Sequence, residues 1–258
     1  MSYSGNCPSK LIRSSTRQPN MKVLEMNSPY AGLPKKNFWK TAVDDVHPLA
    51  LDELYKKKFD IRPDDKVATG GSCFAQHVAS RLRTSGYVVM DNEPAPPGMS
   101  KELASQYGFG LYSARYGNIY TAKQLLQLSR EALGQVKPAH PVWKRTDGQL
   151  VDAQRPNIEP KGFCEVEEVF LHRTHHLERV KTMLSNMNIF IFTLGLTESW
   201  IDMKSDTVFP TAPGTIAAPL PYSAADFKFV NFSSKEVVDQ FAAFRELVQQ
   251  FNPTCNSS

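Results

Sequence analysis

The segment from Val67 to Ala75 constrains the fold of this chain more than any other feature of its sequence. It reads Val-Ala-Thr-Gly-Gly-Ser-Cys-Phe-Ala, so a short apolar run is followed by two glycines, a hydroxyl and a thiol. Glycine permits the sharp turn that lifts the next side chain above the edge of a sheet. Apolar residues then recur every four positions, as on one face of a helix. The segment therefore predicts a strand over 67–69, a turn, and a helix over 74–85.

The rest of the chain predicts further strands and helices around this unit. The apolar run Tyr87–Met90 indicates a second strand, and the order strand, helix, strand favours a parallel sheet. Ile189–Leu194 is almost wholly apolar and predicts a central strand that is buried on both faces. Capping residues and helical spacing predict helices over 121–133, 165–186 and 233–251. Residues 28–66 are expected to be irregular apart from a short helix near 48–59, and residues 203–232 to form a long loop.

Composition narrows the class of protein. The 258 residues are 41% hydrophobic and 22% charged, which is typical of a globular domain. The net charge of +4 is scattered apart from Lys56–Lys58, so nucleic acid is not an expected partner. No apolar stretch approaches the roughly 20 residues that span a membrane. Residues 1–27, which are polar and lack a signal-peptide core, are expected to be a disordered extension. The oligomeric state stays open.

The four cysteines indicate free thiols. Their positions, 7, 73, 164 and 255, match neither a metal-binding pair nor a compact disulfide framework. A reducing compartment, the cytoplasm, is therefore the expected location.

Cys73 and Ser72 are the candidate nucleophiles. Both stand where the first turn of the predicted helix offers unpaired N–H groups and a positive dipole, which favour a thiolate and bind an oxyanion. His77, four residues after Cys73, lies on the same helix face and is a candidate base. A buried structural cysteine and a capping serine are the competing interpretations.

Other polar residues admit two interpretations. His172, His175 and His176 have helical metal-ligand spacing, but no acidic or cysteine ligand matches them, so no metal site is expected. Asp152 and Arg155 are candidates for binding a polar substrate, and an internal ion pair explains them equally well.

Several separate motifs, in order along the chain, resemble the GSCFA family. They are Gly71-Ser-Cys-Phe-Ala75, the blocks at 27–42, 116–122 and 142–160, and Phe192-Thr-Leu-Gly-Leu-Thr-Glu-Ser-Trp200. Members of this bacterial family resemble SGNH/GDSL hydrolases. The resemblance implies a three-layer α/β fold with a parallel central sheet of the SGNH, flavodoxin-like type, over residues 28–258. It also implies ester or acyl-transfer chemistry on a glycan or lipid.

The same resemblance assigns roles to residues. If Gly71-Ser72-Cys73 is aligned with the Gly-Asp-Ser block of SGNH enzymes, the nucleophile falls at Cys73. If Gly70-Gly71-Ser72 is aligned with that block instead, the nucleophile falls at Ser72. The Gly-x-Asn-Asp block corresponds to Gly195-Leu-Thr197-Glu198, so Thr197 stands where the oxyanion-binding Asn belongs, and Asn118 is the alternative donor. The proton carrier is open, with His77 and His176 as candidates. No cofactor is implied, although acetyl-CoA is a conceivable acyl donor by analogy.

The chain also departs from the SGNH pattern. It contains no late Asp-x-x-His, and it is expected to lack the C-terminal part of the domain. An esterase or O-acyltransferase is the leading hypothesis. A non-catalytic glycan-binding or assembly protein on a degenerate SGNH fold is the alternative, and a fragment without independent function is a third.

Overall fold

The computed structural model describes residues 28–51, 54 and 56–255. The extension expected over residues 1–27 lies outside the described residues, as does part of the helix expected near 48–59. The chain divides after Lys58 into two compact units. The described part of the first unit contains the short helical turns Lys35–Asn37, Lys40–Asp44 and Pro48–Ala50.

The second unit alternates helices with short strands. Its helices are α1 (Cys73–Thr84), α2 (Lys101–Gln106), α3 (Ala122–Ala132), α4 (Val166–Asn186) and α5 (Ser234–Phe251). Its strands are β1 (Val67–Gly71), β2 (Val142–Lys144), β3 (Leu150–Asp152), β4 (Ile189–Thr193), β5 (Glu198–Asp202), β6 (Val208–Phe209), β7 (Ala218–Pro219) and β8 (Phe227–Asn231).

The strands form one parallel pair and two antiparallel sheets. β1 pairs with β4 in parallel, from Val67 opposite Ile189 to Gly71 opposite Thr193. The antiparallel sheets have the orders β3-β2-β7 and β6-β5-β8. The chain is therefore an α/β protein, and its parallel sheet is small within the described residues.

Three expectations about strands were wrong. The run Tyr87–Met90 contributes a single parallel bridge, between Val67 and Val89, instead of a strand. β4 is only half-buried beyond Ile189, because among the described residues it pairs with β1 alone. Residues 203–232 are not one long loop, since they contain β6, β7 and β8.

The predictions for the four longest helices, α1, α3, α4 and α5, were confirmed to within a residue or two at each end. The short helix expected near 48–59 was wrong in its described part, where only the turn Pro48–Ala50 is helical. Capping boxes start α3 and α5, where Thr121 pairs with Gln124 and Ser233 with Glu236. The main core lies among α3, α4, α5 and β1 and includes Ala68, Leu125, Val180, Leu184, Phe244 and Val248. In the part of the chain that the structure describes, none of the helices has both the length and the apolar character needed to cross a bilayer.

Candidate functional site

The predicted turn lies at the carboxyl end of β1, whose five residues are all buried. Gly71 adopts a φ of +132°, which glycine tolerates and other residues rarely adopt. A Cβ atom on Gly71 would lie 2.2 Å from Thr193 Oγ1 and 3.0 Å from the Thr193 backbone nitrogen. Both the backbone conformation and the close approach of β4 therefore require glycine here.

Ser72 occupies the N-cap position of α1, but its side chain makes no capping hydrogen bond. Its backbone N–H donates to Thr193 Oγ1 at 3.1 Å, and its own hydroxyl lies 3.4 Å from the same atom. A Cβ atom on Gly195 would lie 3.9 Å from Ser72 Oγ. The Ser72 hydroxyl thus faces the end of β4 and the segment that follows it.

Cys73 is the first residue of α1, and its thiol is free and exposed. The first-turn N–H groups of a helix have no partner within the helix and carry its positive end, so this thiol stands beside oxyanion donors. Tyr112 lies close by. Burial raises the pKa of the Tyr112 hydroxyl, and the neighbouring charge of Cys73 adds to the rise, whereas a hydrogen bond from Gln76 opposes it.

A chain of hydrogen bonds runs from α1, the helix that begins at Cys73, to Asn118. Gln76 Nε2 donates to the Tyr112 hydroxyl at 2.9 Å, and that hydroxyl donates to Asn118 Oδ1 at 2.5 Å. Asn118 Nδ2 donates to the Tyr120 hydroxyl at 3.0 Å. Because the amide nitrogen carries two hydrogens and Tyr120 accepts one, the second remains for a ligand.

A cavity of about 160 Å³ opens next to the network. Its walls include Gln76, Tyr112, Asn118 and Tyr120, together with Arg155. Cys73 does not line the cavity, and Gln76 in the next turn of α1 connects the two. Cys73 is thus one helical turn from a residue in the wall of a pocket with aromatic and amide side chains.

Thr197 and Glu198 lie at the junction of β4 and β5. The Thr197 N–H donates to Glu198 Oε2 at 3.3 Å, and the Thr197 carbonyl accepts from the Phe232 N–H at 2.9 Å. Glu198 is exposed and begins β5, so it neither starts a helix nor lines the cavity. The backbone N–H of Thr197 is thus engaged with Glu198, and its hydroxyl is the remaining donor.

Neither candidate histidine forms a hydrogen bond with the Cys73 thiol in the part of the chain that the structure describes. His77 is exposed and lies one turn after Cys73 on α1. Across residues 28–51, 54 and 56–255, no hydrogen bond joins the Cys73 sulfur to His77 or to His176.

His176 is fully buried and forms a pair with Glu93. Its Nδ1 lies 2.6 Å from Glu93 Oε2, which also accepts the Arg115 N–H at 2.6 Å. Burial lowers the pKa of His176, and Arg155 adds to the effect against the opposing pull of Glu93, so the value falls to about 4. Burial alone would raise the pKa of Glu93, but the hydrogen bond and charge of His176 and the charge of Arg155 outweigh it and lower the value to about 2. At neutral pH the pair is a carboxylate and a neutral imidazole.

Asp152 and Arg155 form an internal ion pair, one of the two interpretations that the sequence left open. Asp152 Oδ2 accepts from Arg155 Nε at 2.8 Å, and Oδ1 accepts from Arg173 Nη1 at 2.7 Å. Arg173 also binds Glu131 through two hydrogen bonds. Burial opposes ionisation of Asp152, yet Arg173 and Arg155 hold its pKa well below the usual range. Arg155 still lines the cavity, with its charge compensated.

The three histidines of α4 point to different partners. His172 packs edge-on against Phe163, and His175 accepts from Arg179 Nε at 3.2 Å, whereas His176 faces Glu93. Among the described residues, no three His, Cys, Asp or Glu side chains are grouped to hold a metal ion.

Sequence reasoning missed several residues of this site. Tyr112 and Gln76 orient Asn118, Thr193 closes the turn, and Glu93 pairs with His176. The glycine- and tyrosine-rich run from 108 to 118 was a usable signal for Tyr112. Glu93 gave no local signal, because its partner lies 83 positions away.

The buried histidine predicts acid sensitivity. The folded-state pKa of His176 is about 4, below the 6.5 of an unperturbed histidine. Between pH 4 and 6.5 the unfolded chain binds one more proton, at His176, than the folded chain. The contribution of the neutral histidine to the free energy of unfolding is therefore fully present above pH 6.5 and is lost as the pH falls toward 4. The slope is at most about 1.4 kcal/mol per pH unit. We expect the free energy of urea unfolding to fall over this window, and the fall to be smaller in His176→Asn. An equal fall in both proteins would contradict the assignment.

Comparison with known proteins gives one match. No curated protein and no solved structure matches the chain. The model of the GSCFA family matches residues 66–257, a span that includes the turn, Cys73, the cavity and the buried charges. Because this match covers most of the chain, the protein belongs to the GSCFA family.

Proposed function

We propose that this protein is an esterase or O-acyltransferase that forms a covalent intermediate on Cys73. The observation that carries the proposal is an exposed thiol at the first residue of α1, the helix whose Gln76 begins the hydrogen-bond chain to Asn118 at the wall of a cavity of about 160 Å³. An exposed cysteine at a helix N-terminus is the environment in which thiols act as nucleophiles.

In the proposed reaction the Cys73 sulfur attacks the carbonyl carbon of an ester or thioester. A carbon–sulfur bond forms, and the carbonyl oxygen becomes an oxyanion. The N–H of Cys73, the free Asn118 Nδ2 hydrogen and the Thr197 hydroxyl are the proposed donors to it. Collapse expels the alcohol or thiol and leaves acyl-Cys73, which water or an acceptor hydroxyl then cleaves.

Two assignments within this mechanism have alternatives. Ser72 is the other candidate nucleophile, and its hydroxyl lies 3.4 Å from Thr193 Oγ1 at the end of β4. His77 and His176 remain the proposed proton carriers, with His77 close along α1 and His176 inside the core.

A glycan is the substrate class that we propose. Hydroxyl, amide and aromatic side chains line the cavity, and Arg155, its charged wall residue, is compensated by Asp152. Such walls suit an uncharged, hydroxyl-rich ligand. An acyl donor such as acetyl-CoA belongs to the same proposal by analogy.

The fold type and location are also proposals. The parallel β1–β4 pair with α1 following β1 is compatible with an SGNH-type core. Cys73, Cys164 and Cys255 are free thiols, which fits a reducing cytoplasm.

One observation favours a second candidate function. Because no histidine contacts the Cys73 sulfur within the described residues, a glycan-binding or assembly protein on a degenerate hydrolase fold would account for the same cavity. Binding of acetylated oligosaccharide without release of acetate would identify this alternative.

The direct test is acetylation by p-nitrophenyl acetate, followed by mass spectrometry of the intact protein and its peptides. We expect a burst of nitrophenolate and one acetyl group on Cys73, formed at least ~10-fold faster than on Cys164, because Cys73 lies within the first turn of α1 whereas Cys164 precedes the N-cap of α4. Cys164 is the matched control, since it is also exposed and free.

Three variants complete the test. We expect Cys73→Ala to abolish the burst, while Cys164→Ala and Ser72→Ala retain it. Equal labelling of Cys73 and Cys164, or a burst that survives in Cys73→Ala, would contradict the covalent mechanism. Loss of the burst in Ser72→Ala with Cys73 unlabelled in the wild type would move the nucleophile to Ser72.

A further inference from the structure

The Nε2 atom of His176 has no hydrogen-bond partner among the described residues, although the side chain is fully buried. Nδ1 is occupied by Glu93. A buried ring nitrogen without a partner costs about 1–3 kcal/mol, so such atoms in folded proteins usually face a water or a ligand. We therefore expect a water or a ligand, and not a protein side chain, as the partner of His176 Nε2.

A small cavity of about 20 Å³ adjoins His176. Glu93 is not in its wall, so the cavity lies away from the Nδ1 edge of the ring. About 10–15 Å³ is enough for one water, which also needs two to four polar partners. Asn118, Gln154 and Arg155 supply such groups in the cavity wall.

The small cavity neighbours the proposed substrate pocket. Tyr116, Asn118, Gln154 and Arg155 line both the 20 Å³ cavity and the 160 Å³ cavity. Because the two cavities share these wall residues, a water held against His176 would lie next to the pocket in which an acceptor would bind.

We propose that the small cavity holds one water that donates to His176 Nε2, and that Glu93, His176 and this water form a proton relay for cleavage of acyl-Cys73. The relay rests on the proposed function. The acceptor, water or a sugar hydroxyl, gives its proton to the relay water, which passes another of its protons to Nε2. The acceptor oxygen bonds the carbonyl carbon, the carbon–sulfur bond breaks, and the electron pair stays on the Cys73 sulfur, which later takes a proton from solvent. The imidazolium then releases its proton to solvent through the same water and the substrate pocket, which balances the proton that solvent gives to the Cys73 sulfur.

The charges around the ring suit this role. Arg155 and Arg173, with Asp152 and Glu131, form the compensated network on one side, and Glu93 faces Nδ1 on the other. Tyr116 contacts the ring edge-on. Burial keeps the imidazole neutral, so Nε2 carries a lone pair, and Glu93 at 2.6 Å from Nδ1 stabilises the imidazolium that forms when Nε2 takes a proton. His176 acts through the water, and Glu93 is a positioning residue.

The test separates the two halves of the reaction. In His176→Asn we expect acetylation of Cys73 within about twofold of wild type. Deacetylation should slow by about 10²-fold, a typical contribution of a proton acceptor, so acetyl-Cys73 accumulates. His175→Asn, the matched control at the neighbouring exposed position, should leave both rates unchanged. Glu93→Gln keeps the hydrogen bond but removes the charge, so it should slow deacetylation by a smaller factor.

Each other outcome is decisive. Deacetylation at the wild-type rate in both His176→Asn and Glu93→Gln would overturn the relay while leaving Cys73 as nucleophile. If His176→Asn does not fold, Glu93→Gln alone decides. Absence of acetyl-Cys73 in the wild type would overturn the proposed function, and the relay with it. The water is tested separately by a high-resolution crystal structure, in which no ordered water at Nε2 would refute its site.

Discussion

Replacement of Asp152 by asparagine should lower the free energy of unfolding by about 3–5 kcal/mol, the usual cost of removing one partner from a buried ion pair. Asp152 is 1% exposed and accepts hydrogen bonds from Arg155 at 2.8 Å and Arg173 at 2.7 Å. Arg173 keeps Glu131 in the variant. Arg155 keeps only carbonyl acceptors, at Arg115 and His172, so it loses the one carboxylate that it binds directly among the described residues.

Asp147→Asn is the matched control for this substitution. Asp147 makes the same kind of pair with Arg145 at 2.5 Å, but its side chain is 47% exposed. Solvent screens such pairs, and their loss costs about 0–1 kcal/mol. Urea unfolding followed by circular dichroism at pH 7 measures both variants. Equal destabilisation in the two would show that the buried network does not stabilise the fold in the way its geometry indicates.

Replacement of Gly71 by alanine should destabilise the protein by about 2–5 kcal/mol, the combined scale of backbone strain and an overpacked contact. The φ of +132° and the approach of Thr193 N at 3.0 Å and Thr193 O at 3.1 Å both oppose a methyl group. These are backbone atoms of a paired strand, so they cannot move without breaking the β1–β4 register. Because Cys73 follows the turn, we also expect its acetylation to slow.

Gly110→Ala separates the two causes. Gly110 has a φ of +69°, and a Cβ atom there meets no atom within 4 Å. The substitution therefore carries the backbone cost alone, about 1–2 kcal/mol. Urea unfolding and the rate of Cys73 acetylation are measured for both variants. If Gly71→Ala were no worse than Gly110→Ala in either measurement, the close packing of β4 on the turn would not matter.

Local signals explain which parts of the fold were predictable. The helices α1, α3, α4 and α5 were predicted nearly to their ends, because apolar spacing and capping residues lie within each segment. The two- and three-residue strands carry too little pattern to be recognised, and they form only where distant segments pair. For the same reason Tyr87–Met90, with a good strand composition, makes one bridge only.

The candidate site also has features that the local sequence predicts and features that depend on distant residues. The turn at Gly71 and the position of Cys73 at a helix start follow from neighbouring residues. The pairing of Glu93 with His176, and of Asp152 with Arg173, joins residues 83 and 21 positions apart, so no local pattern reveals it. Asp152 and Arg155, three positions apart, illustrate the intermediate case: spacing allowed an ion pair, and only burial decided in its favour.

The contact between Ser72 and Thr193 closes the turn, and it can form only after both residues have been synthesised. The hydrogen bond from Ser72 to Thr193 spans 121 positions of the chain, and each β1–β4 pair, such as Gly71 with Thr193, spans 122. Closing a loop of this length costs chain entropy before any contact repays it, and such pairings form late in folding. During synthesis Cys73 therefore leaves the ribosome well before the strand that shapes its surroundings. The thiol is at first a side chain of an unpaired segment, and it acquires its folded surroundings only after the chain has been made as far as Thr193.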